Sequence, residues 1–158
     1  MNILLLCTGN SCRSIIADAL LKSMAPVGMT VQSAGSKPTG FVHPRALVIL
    51  KETGIATEGL SSKSWDNLPE KPDVVITLCA EAEDEPCPLY LGDVIRSHWG
   101  MPDPAKVQGD EATITAAFAD TLAVLRRRMH ALVKQLETEP NMDAAQLQTV
   151  LDDIAANL

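Results

Sequence analysis

A cysteine and an arginine separated by five residues frame the segment of this sequence with the clearest chemistry. The segment reads Cys7-Thr-Gly-Asn-Ser-Cys-Arg13 and joins a short apolar run to a stretch with helical spacing. The start of a helix leaves backbone N–H groups without partners and carries partial positive charge, so a tetrahedral oxyanion can bind there. Arg13 can grip two oxygens of such an anion with its planar guanidinium group. The segment therefore predicts an oxyanion-binding loop.

Cys7 is the predicted nucleophile of that loop. Positive potential favours thiolate over thiol, and the thiolate is the reactive form. The hydroxyl of Ser14, just after the loop, is expected to donate to the Cys7 sulfur, and Asn10 is expected to adopt positive φ and shape the loop. The alternative, a buried cysteine that merely ends a strand, is weaker here, because a strand precedes the loop and a helix follows it.

Two more cysteines lie in the second half of the chain. Cys79 ends a β-branched run at residues 74–78, and Cys87 follows eight residues later between two prolines. In a reducing compartment, cysteines are more often catalytic, metal-binding or redox-active than structural. The spacings do not match the short knuckles of zinc sites, and His43, His98 and His130 show no metal-ligand spacing either. A structural pair and a redox pair both remain open at this point.

The composition limits the classes of protein to which this chain can belong. The chain has 158 residues, is 46% hydrophobic and 21% charged, and carries a formal net charge of −7; these values predict one soluble domain. An acidic balance with only 3% aromatic residues argues against nucleic acid as a partner. The apolar start is too short for a signal peptide or a membrane span, so we expect a cytoplasmic protein without membrane contact.

Apolar patterning predicts alternating strands and helices. We expect strands at residues 2–6, 29–33, 74–78 and 94–99, helices at residues 14–24, 43–53, 111–137 and 143–158, and a mobile acidic loop at residues 81–91. The fold class is therefore α/β, with a central four-stranded parallel sheet, helices on both faces and an extra C-terminal helix. We divide it into a domain at 1–140 and an extension at 141–158, which either packs on the domain or mediates association. Ligands of such folds bind at the carboxyl ends of the strands.

The octapeptide Cys7-Thr-Gly-Asn-Ser-Cys-Arg-Ser14 resembles the phosphate loop of the low-molecular-weight protein tyrosine phosphatase superfamily. The strand that ends in Thr-Leu-Cys79, followed by Cys87 beside proline, is similar to the thioredoxin-coupled arsenate reductases of that superfamily. His98-Trp-Gly-Met-Pro-Asp103-Pro104 resembles the family's acid loop. The resemblance covers nearly the whole chain, from Asn2 to about Glu137.

The resemblance implies an arsenate reductase with a relay of thiols. Cys7 attacks arsenate, Cys79 and Cys87 pass electrons through successive disulfides, and Asp103 is the general acid. No tightly bound cofactor is implied; thioredoxin or glutaredoxin supplies electrons, and phosphate or sulfate can replace arsenate as analogues. The residues implied to bind the oxyanion are Thr8, Gly9, Asn10, Ser11, Cys12 and Arg13.

The resemblance also implies a monovalent-cation site of the potassium type. Its ligands by position are Asn10, Asp18, Ser33 and Asp66. We expect Cys12 to be dispensable for reduction.

Two other functions remain. A phosphatase of phosphate monoesters is less favoured because Ala105 stands after Asp103-Pro104, where phosphatases usually carry an aromatic residue. A non-catalytic oxyanion or redox sensor would bind anions without turnover.

Overall fold

A four-stranded parallel sheet forms the centre of the computed structural model, which describes residues 1–80, 90 and 92–158. The strands are β1 (Asn2–Cys7), β2 (Thr30–Gly35), β3 (Val74–Thr77) and β4 (Ile95–His98), in the order β2-β1-β3-β4. All pairings are parallel. The predicted four-stranded parallel sheet is confirmed.

Four α-helices pack on the sheet. They are α1 (Arg13–Met24), α2 (Pro44–Glu52), α3 (Glu111–Thr138) and α4 (Ala144–Asn157), and single-turn 3-10 helices span Trp65–Asn67 and Pro104–Lys106. The predicted bounds differ from these by one or two residues, because terminal residues are fixed by caps more than by apolar period. No helix in the described part of the chain is both long and apolar enough to cross a membrane.

Both faces of β1 are buried, as its continuous apolar sequence predicts. Ile3 and Leu5 share one core cluster with buried residues of all four α-helices. Leu4 and Leu6 face the other way, into a smaller cluster closed by partly buried residues that include Trp65 and Tyr90.

All four α-helices contribute buried residues to the larger core. On the second face, the 3-10 helix at Trp65–Asn67 packs against the smaller cluster within the described residues.

The C-terminal segment packs on the domain. Leu147, Leu151 and Ile154 of α4 are buried in the main core. Trp99 Nε1 donates to the Leu151 carbonyl at 3.1 Å. Leu158, just after α4, lines a groove shared with residues 100–104. Of the two roles left open by the sequence, the structure shows packing.

Candidate active site around Cys7

The Cys7 loop lies at the carboxyl edge of the sheet, between the end of β1 and the start of α1. Cys7 is buried, and Arg13 is the first residue of α1. Cys12 is the N-cap, and its side chain makes no capping hydrogen bond. Because no side-chain cap takes up the first N–H groups of α1, they remain available to an anion.

The carbonyl groups of the loop point outward. Thr8, Gly9 and Ser11 each accept a hydrogen bond from a backbone N–H within residues 37–43, at 3.0 to 3.1 Å. In a trans peptide the N–H points opposite to the C=O, and no peptide bond among the described residues is cis. The N–H groups that follow these carbonyls therefore face the inner side of the loop, where they form an anion cradle.

Gly35, the last residue of β2, is required by the closeness of the loop. A Cβ placed on it would lie 2.4 Å from the Thr8 carbonyl oxygen and 3.0 Å from the Asn10 nitrogen. No side chain fits in that space, so β2 supports the loop by direct backbone packing.

A directed chain of hydrogen bonds reaches the Cys7 sulfur. Asn10, at φ 44°, accepts from the Lys63 backbone N–H through Oδ1 at 2.9 Å. Its Nδ2 donates to Ser14 Oγ at 2.8 Å. Ser14 Oγ lies 2.9 Å from Cys7 Sγ. Because Asn10 donates to Ser14, the single hydroxyl proton of Ser14 can point to the sulfur, where it stabilises a thiolate.

Arg13 connects the loop to the neighbouring strands. Its Nη1 donates to the Leu78 carbonyl at 3.3 Å and to the Met101 carbonyl at 3.2 Å. Its Nη2 lies 3.5 Å from Asp103 Oδ2. The guanidinium is thus fixed at the edge of the sheet with the proposed acid beside it.

A cavity of about 200 Å³ opens above the loop. Its lining is Cys7, Gly9, Ser11, Cys12, Arg13, Thr39, Phe41, His43, Asp103 and Ala105. Thr39, Phe41 and His43 were not among the predicted site residues. The sequence signal that could have indicated Phe41 is a large apolar residue in a segment that contains glycine and proline. In the structure its side chain is 57% exposed, which is typical of a binding surface.

His43 is held as a neutral structural group. Its Nδ1 accepts from the Arg45 N–H at 3.2 Å as the N-cap of α2, and its ring centroid lies 5.1 Å from that of Phe118. Burial, followed by the positive charge of Arg45, lowers the pKa of His43. A neutral ring beside the cavity leaves Arg13 as the principal cation for an anion.

Cys12 differs from Cys7 in its surroundings. Burial raises the pKa of Cys12 to about 12, with the nearby Asp103 and Cys7 adding to that effect. At neutral pH Cys12 is therefore a thiol and a poor nucleophile.

Cys79 is fully buried and follows Leu78, whose carbonyl Arg13 contacts. Cys79 is disulfide-bonded, whereas Cys7 and Cys12 are free thiols. Cys87 and the predicted mobile loop lie outside the described residues, except for residue 90.

The four residues of the implied cation site are only partly brought together. Ser33 Oγ donates to Asp18 Oδ2 at 2.7 Å, and both residues are buried. Asn10 is linked to this pair indirectly, through Lys63. Asn10 Oδ1 accepts the Lys63 backbone N–H, and Lys63 Nζ lies 3.4 Å from Ser33 Oγ. Asp66 is exposed and instead accepts a hydrogen bond from Ser64.

The chain is similar to known phosphatases and arsenate reductases. The profile described as low molecular weight phosphotyrosine protein phosphatase matches residues 2–142. An arsenate reductase of Bacillus subtilis is 40% identical over 114 residues, which are 72% of this chain and 81% of that protein. One from Oceanobacillus iheyensis is 41% identical over 130 residues, 82% of this chain and 92% of that protein.

A solved structure of similar shape is a thioredoxin-dependent arsenate reductase of Corynebacterium glutamicum. Its TM-score is 0.64 at 28% identity, and the match covers 87% of this chain and 62% of that one.

Proposed function

Because this chain belongs to the low molecular weight phosphotyrosine protein phosphatase family and is an arsenate reductase of that family, we propose that Cys7 is its nucleophile, Arg13 its anion clamp and Asp103 its acid. The observation that carries this proposal is the 2.9 Å contact between Ser14 Oγ and Cys7 Sγ, where Ser14 Oγ also accepts a hydrogen bond from Asn10 Nδ2. The contact lies inside a loop whose carbonyl groups are bonded on the outer side, so its N–H groups face inward. Such a loop holds an anion and an ionised sulfur together.

The first step forms an arsenic–sulfur bond. The Cys7 thiolate attacks arsenic, one hydroxyl group of arsenate departs, and Asp103 protonates that hydroxyl so that it leaves as water. Arg13, within 3.5 Å of Asp103, compensates charge on the remaining oxygens.

The second step moves two electrons. The Cys79 thiolate attacks the Cys7 sulfur, the electron pair of the sulfur–arsenic bond passes to arsenic, and arsenite leaves with a Cys7–Cys79 disulfide behind it. Cys87 then attacks the Cys79 sulfur, which releases Cys7 and moves the disulfide to Cys79 and Cys87. The position of Cys79, one residue after the Arg13 contact at Leu78, supports its role as the second thiol.

An external dithiol reduces the final disulfide. We propose thioredoxin, since the similar Corynebacterium glutamicum protein is thioredoxin-dependent; glutaredoxin is the competing donor. We place the reaction in the cytoplasm, where such donors keep catalytic thiols reduced.

The test is arsenate-dependent NADPH oxidation through thioredoxin and thioredoxin reductase. Cys7→Ser should abolish it, and Cys87→Ser should stop after one turnover with a Cys7–Cys79 disulfide that mass spectrometry can map. Cys12→Ser is the matched control and should keep multiple turnovers. Multiple turnovers by Cys79→Ser would refute the relay.

One observation favours a second activity, hydrolysis of aryl phosphates. Phe41 supplies an aromatic side chain to the cavity wall, although Ala105 does not. Aryl phosphate turnover that survives Cys79→Ser, in a protein that consumes no electrons with arsenate, would make the phosphatase the main function.

A further inference from the structure

Asp18 places a carboxylate inside the domain, close to the nucleophile's support. Its side chain is 1% exposed and lies on α1, four residues after Ser14. Ser33 Oγ donates to Oδ2, and Lys22 Nζ lies 2.7 Å from Oδ1. A buried carboxylate needs compensating positive charge, and the resemblance to cation-binding reductases raises potassium as a source.

The residues around Asp18 do not fit a potassium ion. The Lys63 ammonium already donates to Ser33 Oγ at 3.4 Å and to the Ser61 carbonyl at 3.1 Å. Asn10 Oδ1 accepts the Lys63 backbone N–H. The Ser33 and Asn10 oxygens that a hard cation would use therefore accept hydrogen bonds from Lys63 instead.

We infer that the Lys63 ammonium takes the place of a monovalent cation, and that Lys63 is a positioning residue for the nucleophile. This inference rests on the proposed role of Cys7. A compact ammonium offers three donors in place of the ion's coordination sphere. In this protein the positive charge beside Asp18 and Ser33 is therefore supplied by the chain itself.

The backbone of Lys63 explains why that charge matters to the loop. Its N–H donates to Asn10 Oδ1, and its carbonyl accepts from the Gly35 N–H at 2.9 Å. Lys63 thus bonds β2 through its side chain and its carbonyl, and it bonds the loop through its backbone N–H. When the ammonium is held in place, the Lys63 backbone N–H is held as well. This N–H is the first donor in the series of hydrogen bonds that runs through Asn10 and Ser14 to Cys7.

Two opposing effects act on the pKa of Lys63. Burial lowers the pKa of Lys63, but the carboxylate of Asp18 opposes that shift. Lys22 is the other cation near Asp18, and its side chain is half exposed. The Lys63 ammonium contacts Ser33, and the backbone N–H of the same residue bonds the Asn10 side chain of the loop.

The experiment measures arsenate turnover and Tm in choline, lithium or potassium chloride at equal ionic strength. Wild-type protein should respond equally to the three salts. Lys63→Ala leaves the backbone hydrogen bonds possible but vacates the space between Ser33, Ser61 and Asp18. Its kcat/KM in choline should fall about 10-fold, and potassium should restore turnover and raise Tm more than lithium does.

Three variants sharpen the result. Lys63→Met fills the space without charge, so it should be impaired and unresponsive to potassium. Lys63→Arg keeps the charge and should stay near wild type. Lys51→Ala removes an exposed lysine of α2 and should change neither readout.

Three outcomes would overturn the inference. They are potassium-specific activation or stabilisation of the wild type, full turnover of Lys63→Ala in choline, and an impaired Lys63→Ala that ignores potassium in both readouts. If wild-type protein reduced no arsenate, the proposed function would fail, and the Tm comparison would still decide whether Lys63 replaces the ion.

Discussion

The Ser14 hydroxyl oxygen lies 2.9 Å from the Cys7 sulfur while it accepts a hydrogen bond from Asn10 Nδ2. The serine can therefore act as a donor to sulfur, and its orientation is set by a residue on the other side of the loop. A hydrogen bond to a charged group contributes about 1.5–3 kcal/mol. Loss of this donor is therefore expected to slow reactions of the Cys7 sulfur.

Ser14→Ala should slow alkylation of Cys7 by iodoacetamide at pH 7 by roughly 10-fold. The reason is loss of the only hydroxyl donor that contacts the sulfur among the described residues. Peptide mass mapping over time gives the rate. Ser11→Ala is the matched control in the same loop, because Ser11 Oγ bonds the Phe41 carbonyl instead. Equal rates for both variants would show that Ser14 does not stabilise the thiolate.

Gly35→Ala should destabilise the protein by about 1–3 kcal/mol through overpacking and abolish phosphate binding. The new methyl would meet the Thr8 carbonyl oxygen and displace the loop. Urea unfolding and phosphate protection of Cys7 against alkylation measure the two effects. Gly28→Ala is the control, since its φ of 89° adds strain but nothing lies within 4 Å; it should keep phosphate binding. Normal protection in Gly35→Ala would contradict the packing argument.

Asp103→Asn should lower kcat by about 100-fold while phosphate still protects Cys7. The amide cannot donate the proton that the departing oxygen needs, but Arg13 and the loop remain. Steady-state turnover and protection from alkylation separate the two effects. Asp110→Ala, which removes the N-cap of α3, should lower Tm and leave kcat unchanged. An unchanged kcat in Asp103→Asn would exclude Asp103 as the acid.

Cys12 should resist alkylation between pH 7 and about 9 in the folded protein, while Cys7 reacts. Burial raises the pKa of Cys12 from 9.0 to about 12, so the neutral thiol dominates throughout that interval. Mass mapping of each cysteine after a short iodoacetamide pulse gives the comparison, with urea-unfolded protein as the control in which Cys12 reacts. Equal labelling of both thiols in the folded state would refute the assignment.

The same shift predicts how stability varies with alkaline pH. Because the folded pKa exceeds the unfolded value of 9.0, the contribution of Cys12 is complete below about pH 9 and is lost as pH rises toward 12. Cys12→Ala should lose less stability than wild type over that interval, as urea midpoints at each pH would show. A wild type whose midpoints fall no faster than those of Cys12→Ala would contradict this.

Local patterns were sufficient to predict the parts of the protein that form from neighbours in sequence. Residues 3–6 are an unbroken apolar run, and β1 is buried on both faces. Asn10 tolerates the left-handed backbone, and its φ is 44°. These features follow from single residues or short runs, so no partner elsewhere was needed to anticipate them.

Contacts between distant segments were not predictable. Lys63 lies 53 residues from Asn10, in a polar stretch that reads as a plain connection, and nothing in its local sequence indicates a buried partner. Phe41 and His43 reach the cavity only because residues 37–43 bond the outer side of the loop.

The position of Leu158 has a practical consequence for handling the protein. This residue lines the same groove as Gly100, Met101, Pro102 and Pro104. Asp103 of the acid loop lies between those two prolines in the sequence. Met1 precedes the amino end of β1, at the edge of the sheet opposite Cys7. An affinity tag fused behind residue 158 would crowd the acid loop, whereas one placed ahead of residue 1 would stay clear of the chemistry.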